Sequence, residues 1–163
     1  MQGFRKYAAT VAVFASGLYL ALVIAVFGMI SLLADIEVIA DPRAGALTGP
    51  VATAAATLVV IGCLLLIALR IPESRQRISA LAALGIGVGA YLAWALFAAI
   101  AFLFTSGDPV GALIFFGTLL TGPFAVASGI IAFVVALLYM LVLASRVADK
   151  GRPRWPWEND HDV

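Results

Sequence analysis

Few residues in this chain could do chemistry, and their surroundings do not favour it. Ser16, Thr53, Thr57, Thr118 and Ser128 carry hydroxyls within long apolar stretches, and Cys63 is the single thiol. A serine nucleophile needs a neighbouring base, and no His or Lys stands inside any of those stretches. Hydroxyls so placed usually bond back to their own helix or join neighbouring helices. With no second thiol to form a disulfide or metal site, Cys63 is expected to be a small apolar core residue. Asp160, His161 and Asp162 could hold a metal only weakly, on a terminus with no further ligands. The run Gly85-Ile86-Gly87-Val88-Gly89 resembles a nucleotide-binding loop in spacing alone, because it lies inside an apolar stretch with no later acidic partner. These residues predict a protein that is not an enzyme, with no catalytic, cofactor-binding or metal-binding residues and no cofactor.

The stretches that hold these residues are membrane-like. Hydrophobic residues make up 64% of the 163 and charged residues only 12%, against roughly 45–50% and 25% in soluble domains. Mean hydropathy is +1.11. The charges fall in short islands between long uncharged runs, which predicts an all-α polytopic membrane protein in a lipid bilayer. A net charge of +1 gives no reason to expect nucleic acid as a partner.

Four spans are predicted, at about 7–34, 51–69, 78–104 and 123–145, forming a domain over 1–145 with a cytoplasmic tail over 146–163. The first would be about 42 Å long as a helix and must tilt or protrude from a hydrocarbon core of roughly 30 Å. A basic start and Ala44-Gly45-Ala46 imitate a signal peptide, but the apolar run far exceeds an h-region of about 7–15 residues. The uncharged run from Val110 to Ala144 would reach about 52 Å unbroken, so Gly122-Pro123 is expected to divide it. A short extra helix over about 109–120 then precedes the fourth span, as an interfacial piece, a re-entrant one or a kinked extension.

Basic residues set the expected orientation. Arg5, Lys6, Arg70, Arg75, Arg77, Arg146, Lys150, Arg152 and Arg154 fall on one side and Arg43 alone on the other, which predicts cytoplasmic termini in a bacterial plasma membrane.

The tetrapeptide LTGP occurs at Leu47–Pro50 and Leu120–Pro123, each time before an inward-going span. As a helix-start motif, Thr48 and Thr121 would cap, Gly49 and Gly122 would permit tight entry, and Pro50 and Pro123 would suit the first turn. A functional alternative has the two starts facing each other and offering free backbone donors to an anion. Gly17-Leu18-Tyr19-Leu20-Ala21 is echoed 72 residues later by Gly89-Ala90-Tyr91-Leu92-Ala93, and Asp-Pro recurs at 41–42 and 108–109. Order and spacing predict a duplicated two-helix hairpin, residues 1–72 and 73–145. Its halves would be parallel, related by an axis along the membrane normal.

Small residues at four-residue spacing, Gly17 and Ala21, Gly85 and Gly89, Ala125 and Gly129, predict close helix packing in a bundle or against a second copy or partner membrane protein. Arg152, Arg154, Trp155 and Trp157 form a predicted interfacial anchor. With its Gly-rich spans and Arg-Pro-Arg-Trp-Pro-Trp tail, the chain resembles uncharacterised four-span actinobacterial membrane proteins of unknown function. That resemblance implies no activity and no site residue. The expected role is an accessory or assembly subunit; the alternative is a small oligomeric channel or facilitator for uncharged or anionic solutes.

Overall fold

The computed structural model describes residues 2–70 and 79–150. They form five helices: α1 (Gln2–Ala34), α2 (Thr48–Arg70), α3 (Ala80–Ser106), α4 (Pro109–Thr121) and α5 (Pro123–Lys150). Among the described residues there is no strand. All but α4 are long and apolar enough to cross a membrane. The expected tail anchor, Arg152, Arg154, Trp155 and Trp157, lies outside the described residues.

Local chemistry explains where the helices stop and start. Asp35 adopts the left-handed conformation, φ 53°, and the Ile36 N–H returns 3.3 Å to the Ser31 carbonyl. This closes the last turn of α1. Gly107, φ 67°, ends α3 in a related way, its N–H donating 2.9 Å to the Leu103 carbonyl. Ser79 caps the start of α3, its hydroxyl accepting from the Ala82 N–H at 3.2 Å. Asp108 caps α4 by accepting from the Gly111 N–H at 2.9 Å, and Pro109 occupies the first turn.

The break between α4 and α5 falls at Gly122-Pro123. Gly122 is extended, φ −76° and ψ 151°, because Pro123 has no N–H for the ladder and disfavours helix in the residue before it. The two copies of LTGP therefore take different local structures. Thr48 begins α2, whereas Thr121 ends α4 and its hydroxyl donates 3.0 Å back to the Thr118 carbonyl. Neither threonine makes the expected capping bond, and the Thr48 hydroxyl is buried without a partner.

In the bundle, α1 packs on α2 and α5, and α3 packs on α2 and α5, so the four long helices form a ring with α1 opposite α3. Helix α4 lies beside α3. The Phe102 and Phe115 rings stack at 4.7 Å, and the Tyr91 hydroxyl donates 2.6 Å to the Leu120 carbonyl. Tyr91 stands fifteen residues before the end of α3, about 22 Å down by helical rise. The short helix thus descends antiparallel to α3 into the depth of the bundle, rather than lying across its end.

The tightest helix contact is between α3 and α5. A Cβ added to Gly87 would come within 2.8 Å of the Gly129 carbonyl oxygen, and one added to Gly129 would meet the Tyr91 Cβ at 2.9 Å and the Gly87 oxygen at 3.1 Å. Here a glycine is required by the closeness of two backbones. Of the six small residues expected to pack, Gly129 and Ala125 are buried in the bundle and Gly89 faces Val59 on α2. Gly17, Ala21 and Gly85 stand on exposed faces. Four-residue spacing establishes that residues share a face, but not which face turns inward.

These contacts rank the glycines. Gly87→Ala and Gly129→Ala should each lower stability by about 1–3 kcal/mol through overpacking. Gly17→Ala and Gly85→Ala, whose new methyls meet open space, should lose nothing and gain up to about 1 kcal/mol of helix propensity. Unfolding in mixed micelles by titration with denaturing detergent measures all four. An equal loss at Gly85 and Gly87 would contradict the assigned α3–α5 contact.

Candidate functional site

The deep start of α5 leaves a cavity at the end of the bundle that carries the 35–47 and 107–108 connections. Phe124, in the first turn of α5, meets Phe27 edge to face at 5.2 Å, and Phe27 meets Trp94 likewise at 5.5 Å. Phe27 lies seven residues before the end of α1 and Trp94 twelve before the end of α3, about 10 and 18 Å in helical rise. Above α5 the ring of helices therefore lacks one member, and α4 and residues 36–43 wall the gap. The cavity has a volume of about 740 Å³. Gly111, Phe115 and Leu119 of α4 form one side, Pro123, Phe124 and Ala125 the floor, and Trp94 the deep wall.

Its rim is charged. The Arg43 guanidinium reaches Asp41 Oδ2 at 2.9 Å and Oδ1 at 3.2 Å, and approaches Asp108 Oδ2 at 3.7 Å. It also lies 5.2 Å over the Phe102 ring, a cation–π arrangement. The Arg43 carbonyl is within 3.3 Å of the Thr105 hydroxyl, and a Cβ added to Gly45 would come within 2.9 Å of the Thr105 methyl, so the connection lies against the end of α3. Glu37 completes the rim. Hydrogen bonds from the Arg43 side chain, then from its backbone N–H, hold the Asp41 carboxyl below the usual carboxylate range.

Below the aromatic floor the axis is filled. The Tyr19 and Ser128 hydroxyls are hydrogen-bonded at 2.7 Å, and both residues are buried. Closer to the chain termini, the Tyr139 hydroxyl lies 3.3 Å from the carbonyls of Ala8 and of Leu64, joining α5 to α1 or α2. Trp94 donates 3.3 Å to the Thr53 hydroxyl. The cavity is therefore blind.

The intramembrane hydroxyls divide by role. Ser16, Thr57 and Thr118 bond to carbonyls four residues back on their own helices. Thr53 and Ser128 join helices. Their partners, Trp94 and Tyr19, together with Tyr91 and Tyr139, are the polar groups that a search for Ser and Thr misses. Four-residue spacing between Tyr91 and the buried Gly87 could have pointed to one of them. Cys63 is half-buried against the core.

The two helix starts marked by LTGP do not share a site. Gly122 and Pro123 line the blind cavity, whereas Gly49 and Pro50 line a separate groove of about 810 Å³ between α1 and α2. Helices α2 and α5 sit across the ring from each other.

A family of unknown function, DUF6121, matches residues 1–163, and the chain belongs to that family. No curated protein and no solved structure matches it.

Two measurements check this geometry. A double-mutant cycle of Tyr19→Phe and Ser128→Ala should show a coupling of about 0.6 kcal/mol, the average for interhelical hydrogen bonds in membranes, and at most about 1.7 kcal/mol; zero coupling would remove the bond. A carboxyl with a lowered pKa contributes stability above its unfolded value and loses that contribution as pH falls through the folded one. The Asp41–Arg43 link should therefore persist at neutral and mildly acid pH, and the Asp41 carboxyl should titrate by NMR below the usual carboxylate range. A midpoint within or above the usual carboxylate range would show that Arg43 is elsewhere.

Proposed function

We propose that this member of a family of unknown function is a non-enzymatic accessory or assembly subunit in the plasma membrane of a bacterium, with both termini in the cytoplasm. One observation carries the choice over a channel: the bundle axis is closed at each level by buried side chains, Trp94 and Phe124, then Tyr19 and Ser128, then Tyr139. A solute entering the cavity meets aromatic rings and then helix-joining hydroxyls. The alternative, an oligomeric facilitator for uncharged or anionic solutes, would need a path between copies instead of through one.

A subunit role is supported by α1. Only 17% of its most apolar window is buried, against 44% for α3, and its exposed side carries Gly17 and Ala21. Small residues on an unpartnered membrane face allow another helix to approach closely, from a second copy or from a partner membrane protein. The cytoplasmic termini rest on the nine-to-one distribution of basic residues.

The duplication reading has support of its own. The two left-handed residues among those described, Asp35 and Gly107, are 72 apart and end the two rising helices. That is the offset at which the Gly17 and Gly89 segments correspond. In the ring, α1 opposite α3 and α2 opposite α5 is the arrangement that a two-fold axis along the bundle would produce.

The role is tested in liposomes and in the native membrane. Purified protein should add no solute permeability to vesicles, and a photocrosslinker in place of Ala21 should capture a protein neighbour in cells. A selective leak abolished by substituting Gly122 or Pro123 would favour the channel, and capture of lipid alone would refute the partner face. Orientation is checked separately with Cys63→Ala and Arg75→Cys: impermeant thiol reagents should label position 75 only from inside.

A further inference from the structure

We propose that the blind cavity is a binding site for a cationic amphiphile, with the charged head among Glu37, Asp41 and Asp108 and the apolar body against Trp94, Phe115 and Phe124. About 740 Å³ lies within the range of small-molecule sites, and such sites combine apolar walls with a few placed polar groups. Three carboxylates and one guanidinium line the rim, an excess of two negative charges. Arg43 does not reverse that sign. Its charge is shared between Asp41 and Asp108 and rests on the Phe102 face.

An anionic head would meet this excess, and a wholly apolar guest would gain nothing from it. A cationic amphiphile gains both, the carboxylates for its head and the aromatic walls for its apolar body.

Access fits an amphiphile as well. Val110 and Ile114 line the cavity and belong to the exposed apolar side of α4, so the cavity opens beside the helix face that meets lipid as well as beneath the charged connections. A molecule partitioned into the bilayer can bring its chain in along α4 and leave its head at the rim. This inference is independent of whether the chain has a protein partner, since Gly17 and Ala21 are not among the residues that line the cavity.

Trp94 supplies the readout. The chain has three tryptophans, so Trp155→Phe with Trp157→Phe leaves Trp94 as the only one. The full-length protein is reconstituted into phosphatidylcholine vesicles and titrated with an alkyltrimethylammonium carrying bromine at its chain end, and in parallel with an alkyl sulfate of the same chain and label. Saturable quenching of Trp94 by the cation is expected, reversed by excess unlabelled alkyltrimethylammonium, with clearly weaker quenching by the sulfate. Glu37→Lys reverses one exposed rim charge without touching the Arg43 network, and should raise the half-saturating concentration about threefold or more. Asp41→Asn should weaken binding as well.

Quenching that rises linearly and resists competition would mean simple partitioning and would overturn the site. Equal quenching by cation and sulfate, or an unchanged midpoint in Glu37→Lys, would overturn the choice of a cation. Should Asp41→Asn fail to fold, the Glu37→Lys comparison decides alone.

Discussion

The close approach of α3 and α5 at Gly87 and Gly129 is the contact on which the rest of the bundle depends. Two helix backbones meet there without a side chain between them. In a bilayer the hydrophobic effect does not drive helices together, so packing at contact distance and interhelical hydrogen bonds must do so. With the two backbones this close, Tyr91 on α3 can reach the end of α4, and Ser128 on α5 is presented to Tyr19 on α1. The same approach makes α3 the most enclosed helix and leaves α1 the least.

The cavity follows from a second constraint, the inability of proline to continue a helix. At Pro123 the descending path breaks, α4 leans on α3, and α5 begins level with the aromatic cluster. The space above its first turn is then bounded by residues of two kinds. The aromatic rings below belong to the apolar depth of the bundle, and the ionised groups above belong to the connections, where water can solvate them. An amphipathic pocket is the result of one helix starting late.

The connection over residues 35–47 has no regular structure yet is held at three points. Asp35 turns the chain out of α1, Asp41 and Arg43 pair locally, and Thr105 meets the segment from α3. Its counterpart across the proposed repeat is the helical α4. If the halves share an ancestor, the equivalent stretches have diverged into a connection and a helix.

Much of this architecture was legible in the sequence, because bilayer solvation acts on every residue of a span. Uninterrupted apolar runs announced the membrane-crossing helices, and Gly122-Pro123 announced the break before α5, since both depend on local backbone chemistry. The site was less legible. Asp108-Pro109 does read as a helix cap, but nothing in the spacing of Glu37, Asp41, Arg43 and Asp108 says that they surround one opening. Nor does the sequence say that Gly87 packs against backbone while Gly85 faces outward, two residues away. Hydropathy and proline act locally, and so the sequence by itself determined the helices, their breaks and their solvent. Which side of each helix turns inward, and which distant side chains meet, depends on the mutual rotation of packed helices, and only the tertiary structure decided that.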